Sequence, residues 1–217
     1  MKNKNIILII SMLLTCLSAS AQSSYYLSFI DYFNDTWQPL DTLQLEQRSS
    51  GKFWWGGCDI KPVTGNKKTD KLLKKKARLI CHADSLYINC RQLSCHGVRF
   101  GNWYAPAYIY ERDYFLFIAP NYKSTQRTNN IAFMFGAIGG AIATSTSKHD
   151  YMCYVFNPGT ELVEPVDKTM MERLLEEYPE LHAKLMQVKS KERYSPEVVM
   201  PILQELGLIT ENGASQK

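Results

Sequence analysis

Three strand–turn–strand patterns in the middle of the chain constrain its fold most. Short runs rich in aromatic and β-branched residues flank polar turns of only a few residues, and strands joined by such short turns pair antiparallel. In the third turn Pro158 precedes Gly159, an order that predicts a type II turn with positive φ at the glycine. The paired runs are residues 79–82 with 86–89, 107–110 with 114–118, and 151–156 with 160–163.

Four segments carry signals for the start of a helix. A capping box, in which Ser or Thr precedes an acidic residue by three positions, occurs twice in the chain. Prolines at first helical positions begin two further helices. These starts are Ser28 with Asp31, Thr169 with Glu172, Pro179, and Ser195 with Pro196. Apolar residues follow at helical spacing, and Gly207 is placed to end the last helix.

Together these patterns predict an α+β protein, in which an antiparallel β-rich body is followed by two or three C-terminal helices. A short strand over residues 42–47 is also predicted, because Leu43 and Leu45 alternate with polar residues. We expect one domain after removal of an export signal. Its predicted parts are a signal peptide at 1–21, a β-rich body at 22–164, a helical segment of the same domain at 165–209 and a disordered tail at 210–217.

The first 21 residues have the three parts of a secretory signal peptide. Lys2 and Lys4 make the start positive, residues 6–17 form an apolar run, and Ala-Ser-Ala at 19–21 is a cleavage site. The mature protein is therefore predicted to begin at Gln22. The predicted location is the periplasm, the outer membrane or the exterior of the cell.

Two other interpretations of the N-terminus bear on membrane attachment. A membrane anchor needs about 20 apolar residues to cross a bilayer, and the run at 6–17 is shorter. Leu-Leu-Thr-Cys at 13–16 resembles a lipobox, although Thr before the cysteine departs from the usual small residue. Acylation of Cys16 would tether the protein to a membrane.

Charge is concentrated in one window of the chain. The net charge is +4, and loss of the two lysines of the signal leaves +2, too little to steer the whole protein onto nucleic acid. The lysine run, residues 67–78, holds six lysines and one arginine against Asp70. A solvated loop or helix face is the favoured interpretation, and binding of an anionic polymer or of lipopolysaccharide phosphates is the alternative.

Five cysteines remain after cleavage, so at least one thiol stays unpaired if disulfides form in an oxidising compartment. Two are followed by histidine, which raises zinc binding and a thiolate nucleophile as hypotheses. The spacing argues against both, because neighbouring residues of a strand point to opposite faces. Structural disulfides or buried thiols are favoured, and no catalytic, cofactor-binding or metal-binding residue is predicted. The cysteines are Cys58, Cys81, Cys90, Cys95 and Cys153.

Aromatic residues form the candidate binding surface. Their flat, amphipathic rings suit sugar rings and protein interfaces, and packing in the core is the competing interpretation. The residues of this candidate surface are Trp54, Trp55, Trp103 and Tyr104.

A glycine-rich segment is the candidate for self-association. Gly136, Gly139 and Gly140 lie in the apolar stretch at 131–143. Small residues at this spacing let helices approach closely in membranes. The stretch is too short to span a bilayer as a helix, so a buried strand, a short helix or a loop is the competing prediction.

Several stretches, taken in order, resemble a group of exported proteins of unknown function from Bacteroides-type bacteria. The resemblance rests on residues 26–34, 84–89, 136–143, 154–159, 174–175 and 179–181, and on the final helix. It implies a location in the cell envelope. It implies no activity and no catalytic residues.

The leading functional hypothesis is a non-enzymatic, exported interaction module. Its predicted partner is a protein, a glycan or a membrane surface, and nucleic acid is excluded as a partner. A cell-surface hydrolase with a Cys/His site and a self-assembling, membrane-associated protein are the alternatives. No cofactor is predicted.

Overall fold

The computed structural model describes residues 23–47, 58–125 and 150–209. Several predictions lie outside these residues. They concern the signal peptide with Cys16, Trp54 and Trp55, the glycines Gly136, Gly139 and Gly140, and the tail from residue 210.

Twelve strands and five α-helices make up the described residues. In chain order they are β1 (Ser23–Tyr26), α1 (Phe29–Phe33), β2 (Gln38–Leu40), β3 (Gln44–Gln47), β4 (Ile60–Val63), α2 (Lys67–Lys75), β5 (Leu79–His82), β6 (Ser85–Asn89), a 3-10 helix (Cys90–Gln92), β7 (Ser94–Cys95), β8 (Val98–Arg99), β9 (Tyr104–Tyr110), β10 (Tyr114–Pro120), β11 (Tyr151–Asn157), β12 (Leu162–Pro165), α3 (Lys168–Leu174), α4 (Pro179–Gln187) and α5 (Pro196–Glu205).

Ten of these strands form one antiparallel sheet. Its main path runs β12-β11-β10-β9-β6-β5-β1-β2, and β3 and β4 form a branch beside β9. β4 joins the sheet through the pairing of Ile60 with Tyr104, while Tyr104 also pairs with Asn89 of β6. Strands β7 and β8 form a separate small hairpin. The predicted α+β class with an antiparallel body is confirmed.

All three predicted hairpins occur, and in the first two the turn chemistry is clear. Ala83 and Asp84 both have positive φ, 49° and 61°, as the two-residue turn between β5 and β6 requires. Glu111 and Arg112, with φ of 47° and 72°, lie in the three-residue loop that joins β9 to β10. In the two-residue turn, positive φ at both central residues matches the right-handed twist of the flanking strands.

The third hairpin pairs as predicted, but its turn is different. Positive φ lies at Glu161, 56°, and not at Gly159, so the predicted type II turn is wrong. The Asn157 side chain accepts hydrogen bonds from the backbone N–H groups of Gly159 and Thr160, at 2.9 and 3.2 Å. This Asx-type turn sets the loop geometry, because the side-chain oxygen replaces a backbone acceptor.

The centre of the sheet is buried on both faces. Phe115 and Phe117 of β10 belong to an aromatic cluster on one face, and Leu116 between them packs with Val155 on the other. Helices α3, α4 and α5 cover the second face. Their buried apolar side chains there include Met171, Leu181, Leu185, Val199 and Leu203. Burial on both sides explains why β10 and β11 are almost continuously apolar, since alternation is expected only where one face meets water.

Helix α1 closes the first face and begins as predicted. The Ser28 hydroxyl accepts from the Asp31 N–H at 3.0 Å, and the Asp31 carboxylate accepts from the Ser28 N–H at 2.9 Å. This reciprocal capping box is confirmed. It directs Phe29 onto the rings of Phe115 and Phe156, whose centroids lie 5.4 and 4.7 Å away.

The C-terminal helices form where predicted, with one cap displaced. Helix α3 begins two residues earlier than the capping box at Thr169 predicts, because Asp167 is the N-cap and accepts from the N–H groups of Thr169 and Met170. Pro179 and Pro196 stand at the first positions of α4 and α5. Gly207, with φ of 69°, follows the end of α5 as expected for a helix-terminating glycine. Within the described ranges no helix is long and apolar enough to cross a membrane.

Candidate functional site

The candidate aromatic surface is divided by the sheet. Trp103 precedes β9 and is half-buried. Tyr104, the next residue, is 1% exposed and belongs to the cluster that packs under α2. The ring of Tyr104 therefore cannot contribute to a surface, because adjacent residues at the start of a strand point to opposite sides.

Trp103 has an unusual backbone. Its φ is 85°, a left-handed value that costs a bulky residue about 1–3 kcal/mol. Gly101, two residues earlier, also has φ of 85°, but there the absence of a side chain removes the cost. The strain at Trp103 persists only because its surroundings fix it.

Three hydrogen bonds fix the peptide on either side of this strained residue. The Trp103 carbonyl accepts from the N–H of Cys90 at 3.0 Å, and the Asn102 carbonyl accepts from the N–H of Cys58 at 2.9 Å. The Arg91 guanidinium donates to the Asn102 side chain at 2.6 Å. Two segments distant in sequence thus hold the loop from both sides.

Two lysine ammonium groups lie over the indole ring of Trp103. Lys74 Nζ is 5.2 Å from the ring centroid and Lys61 Nζ is 5.9 Å from it. Both distances fall within the range of cation–π attraction. Lys61 also pairs with Glu46 at 3.0 Å, and both of these side chains are exposed to water. We call Trp103 with Lys61 and Lys74 the Trp103 site.

Helix α2 brings Lys74 to the ring, and its N-terminus is well defined. The Asn66 side chain caps it by accepting from the N–H groups of Lys68 and Thr69. The Asp70 carboxylate accepts from the N–H and the hydroxyl of Thr64, at 2.7 and 2.8 Å. The lysine run is therefore a helix with a solvated face, as predicted, and its single acid has a structural role.

A buried polar contact ties the other end of α2 to the sheet. The Tyr104 hydroxyl donates to the Leu73 carbonyl at 2.8 Å, and the Asn89 amide donates to the carbonyls of Leu73 and Ala77 at 3.1 and 2.7 Å. Burial raises the pKa of Tyr104, so its hydroxyl stays protonated and remains a donor. These groups satisfy carbonyls that the end of a helix leaves without partners. Lys74 owes its position to this contact.

Sequence reasoning missed Lys61 and Asn89. Lys74 could have been suspected from the lysine run, whose charge points to an anion-binding face. Lys61 lies 42 positions from Trp103 and has no local pattern that links it to an aromatic residue.

The cysteines do not form a catalytic or metal site in the described residues. None of the five described cysteines is joined in a disulfide, and no group of three or more His, Cys, Asp or Glu side chains is arranged to hold a metal ion there. Burial raises the pKa of four thiols, which opposes the thiolate form that a nucleophile needs. These are Cys81, Cys90, Cys95 (to about 11) and Cys153 (to about 12).

The two Cys-His dipeptides are also separated. The His82 Nδ1 atom is hydrogen-bonded to the Ser23 hydroxyl at 2.7 Å, while Cys81 packs against the aromatic cluster on the first face. His96 stacks near Tyr122, with ring centroids 5.0 Å apart, and Cys95 beside it is buried. Cys81 therefore packs against the core cluster and Cys95 lies within it, while the imidazole of each dipeptide lies elsewhere.

Fold and site together define an α+β protein with one large antiparallel sheet and a basic, aromatic corner. Residues 24–210 match the family described as Family of unknown function (DUF6563), and the chain belongs to this family. No curated protein and no solved structure matches the chain. The family assignment confirms the part of the predicted resemblance that concerns a group of unknown function, while its bacterial origin and its export stay predictions.

Proposed function

We propose that this protein is an exported, non-enzymatic module of the cell envelope that binds an acidic glycan at the Trp103 site. The observation that carries the proposal is a strained, half-exposed tryptophan whose ring lies beneath two ammonium groups. Backbone strain clusters at functional positions, where the side chain must be presented in one orientation. The secretory signal in the sequence supports export.

The chemistry of the site suits a sugar that carries a negative charge. The apolar indole can contact the apolar face of a sugar ring. Lys74 and Lys61 stand where a carboxylate, sulfate or phosphate of the same sugar would pair with them. Among the described residues Lys74 forms no salt bridge, whereas Lys61 has Glu46. We therefore expect Lys74 to contribute more to binding.

The rest of the lysine run extends the basic surface beyond the ring. Leu73 and Ala77 are buried, while Lys67, Lys68 and Lys71 are exposed. A polymer that crosses the Trp103 site would continue along this positive face. Its binding should weaken with added salt, because exposed charges are screened.

The hydrolase alternative receives less support than the binding module. Burial raises the pKa of the thiols that it would use, and no Cys-His dipeptide presents its thiol and its imidazole together. A nucleophilic cysteine requires the opposite shift and an adjacent base.

Binding to polygalacturonate, a uronic-acid polymer, tests the proposal. The full-length protein is titrated with this polymer while its tryptophan fluorescence is followed, and dextran serves as the neutral counterpart. We expect binding to polygalacturonate only, with Trp103→Ala weakening it about tenfold or more. Lys74→Gln should weaken it less and reduce its salt dependence.

Trp37→Ala is the matched control, because Trp37 is 40% exposed and no ammonium group of the described residues lies over it. This variant should bind as the wild type does. Equal affinity for dextran, or full affinity in Trp103→Ala, would remove the basis of the proposal.

A further inference from the structure

Two thiols touch each other inside the core. Cys58 is 1% exposed and Cys90 is fully buried, and the two thiols lie close enough to interact with each other. They lie 32 positions apart in the chain, Cys58 just before β4 and Cys90 at the first residue of the 3-10 helix. Contact between two thiols from distant segments is the starting geometry for a disulfide.

The backbones of the two cysteines are held by one short stretch of chain. The N–H of Cys58 donates to the Asn102 carbonyl and the N–H of Cys90 donates to the Trp103 carbonyl, at 2.9 and 3.0 Å. Because these carbonyls belong to consecutive residues, the cysteines flank the same loop. Their relative position is therefore fixed by hydrogen bonds as well as by packing.

The other described thiols have different surroundings. Cys153 lies in the cluster on the opposite face of the sheet. Cys95 interacts with the charges of Asp167 and Glu164, and Cys81 lies near Tyr26 and Tyr32. Cys58 and Cys90 are the pair that the fold brings into contact.

We propose that Cys58 and Cys90 form a disulfide in the exported protein, and that this bond locks the loop that carries Trp103. The inference rests on the export that forms part of the proposed function, because an oxidising compartment supplies the disulfide donor. The bond would join the start of β4 to the 3-10 helix. The backbone N–H groups of both cysteines also hold the strained peptide by hydrogen bonds.

The reaction is a thiol–disulfide exchange with a small or protein disulfide as oxidant. The Cys58 thiolate attacks one donor sulfur, the donor S–S bond breaks, and the released thiolate takes up a proton. The Cys90 sulfur then attacks the mixed disulfide after giving its proton to solvent, which forms the Cys58–Cys90 bond and releases the second donor thiol. In total the protein loses two protons and two electrons, and the donor gains both.

Peptide mapping after oxidation tests the bond directly. The full chain is expressed, denatured with reductant and refolded in a glutathione redox buffer, and remaining thiols are alkylated before trypsin digestion. Trypsin leaves Cys58 alone in residues 53–67, but it leaves Cys81 and Cys90 together in residues 79–91. A Cys81→Ser background therefore makes the assignment unique. We expect residues 53–67 linked to 79–91 in both backgrounds.

Thermal melting supplies a second readout. A disulfide that closes a loop of about 30 residues should raise the melting temperature of the oxidised protein by on the order of 10 °C. Reductant should abolish this increase in the wild type and should have no effect on Cys90→Ser. Cys153→Ser is the matched control, since it removes a buried thiol outside the pair and should retain the increase.

Different outcomes of these experiments test the disulfide, the export of the protein and its glycan binding separately. Refolded protein in which every thiol is alkylated and which has a native circular dichroism spectrum would overturn the disulfide, as would a link between other cysteines. A bond that forms on refolding but is missing from protein trapped with alkylating agent at cell lysis would support the pairing and count against export. Loss of glycan binding with the bond intact would count against the proposed function alone.

Discussion

Strands β10 and β11 and the loop that carries Trp103 are held in opposite ways. The two strands are regular and buried on both faces, so apolar contacts dominate their stability. Trp103 is half-exposed and strained, and hydrogen bonds from Cys58 and Cys90 maintain its loop. The two strands therefore stabilise the fold, whereas the backbone strain at Trp103 reduces its stability. Such strain persists only where the surrounding structure fixes the residue.

Removing a ring from the doubly buried region should have the largest effect. Phe115 is fully buried, and the rings of Phe29, Tyr32 and Phe33 lie 5.4–5.6 Å from it. We expect Phe115→Ala to lower the free energy of unfolding by about 3–5 kcal/mol, because the cavity cannot be filled by α1 alone. Denaturant unfolding measures this change.

Ile30→Ala is the control for that substitution. Ile30 lies on α1, the helix that packs against Phe115, but it is 69% exposed. Its loss should therefore change the free energy of unfolding by only about 0.5 kcal/mol. Equal effects of the two substitutions would show that the sheet centre is not the principal source of stability.

High pH should weaken the central region through its buried thiol. Burial raises the pKa of Cys153 from 9.0 to about 12. The stabilisation is complete below the unfolded value and is lost as pH rises from about 9 towards about 12, because the unfolded chain releases the proton first. At about pH 10 this group should lower the free energy of unfolding by roughly 1 kcal/mol.

Cys153→Ala isolates this contribution from those of the tyrosines, whose pKa values burial also raises. Urea unfolding of both proteins at neutral pH and at about pH 10 gives the comparison. The variant should lose less stability than the wild type between the two conditions. Identical losses would mean that Cys153 does not titrate in this window.

The smallest expected effect concerns backbone strain at Trp103. Glycine and alanine both remove the ring, but only glycine relaxes at φ of 85°. We therefore expect Trp103→Gly to be more stable than Trp103→Ala by about 1 kcal/mol in thermal or urea unfolding. At Thr160, whose φ is not positive, the same pair should show the reverse order. An alanine variant as stable as the glycine variant would contradict strain at Trp103.

Much of the fold could be predicted because its signals are local. Ser28 and Asp31 are three residues apart, and the turn at Ala83 and Asp84 joins strands that touch directly. The errors arose where two local signals compete. Asp167 is the cap instead of Thr169 because its carboxylate accepts from the N–H groups of Thr169 and Met170, which places Thr169 inside the helix. In the third hairpin the Asn157 side chain overrode the Pro-Gly turn.

The candidate site was predictable only in part. Trp103 stood out from composition, but the sequence could not show that Tyr104 beside it points inward to Leu73 of α2. Nor could it show that Lys61 joins Lys74 over the ring. These relations depend on how α2 and β4 pack against β9, and no periodicity records such packing.

The sequence by itself determined the three hairpin pairings and most of the helix starts, and it predicts an export signal, because each of these depends on residues within a few positions of one another. The tertiary structure alone decided which tryptophan meets two lysines, which tyrosine enters the core and which two of five thiols touch. Those outcomes join residues that are tens of positions apart, and only the packing of helices on one continuous sheet brings such residues together.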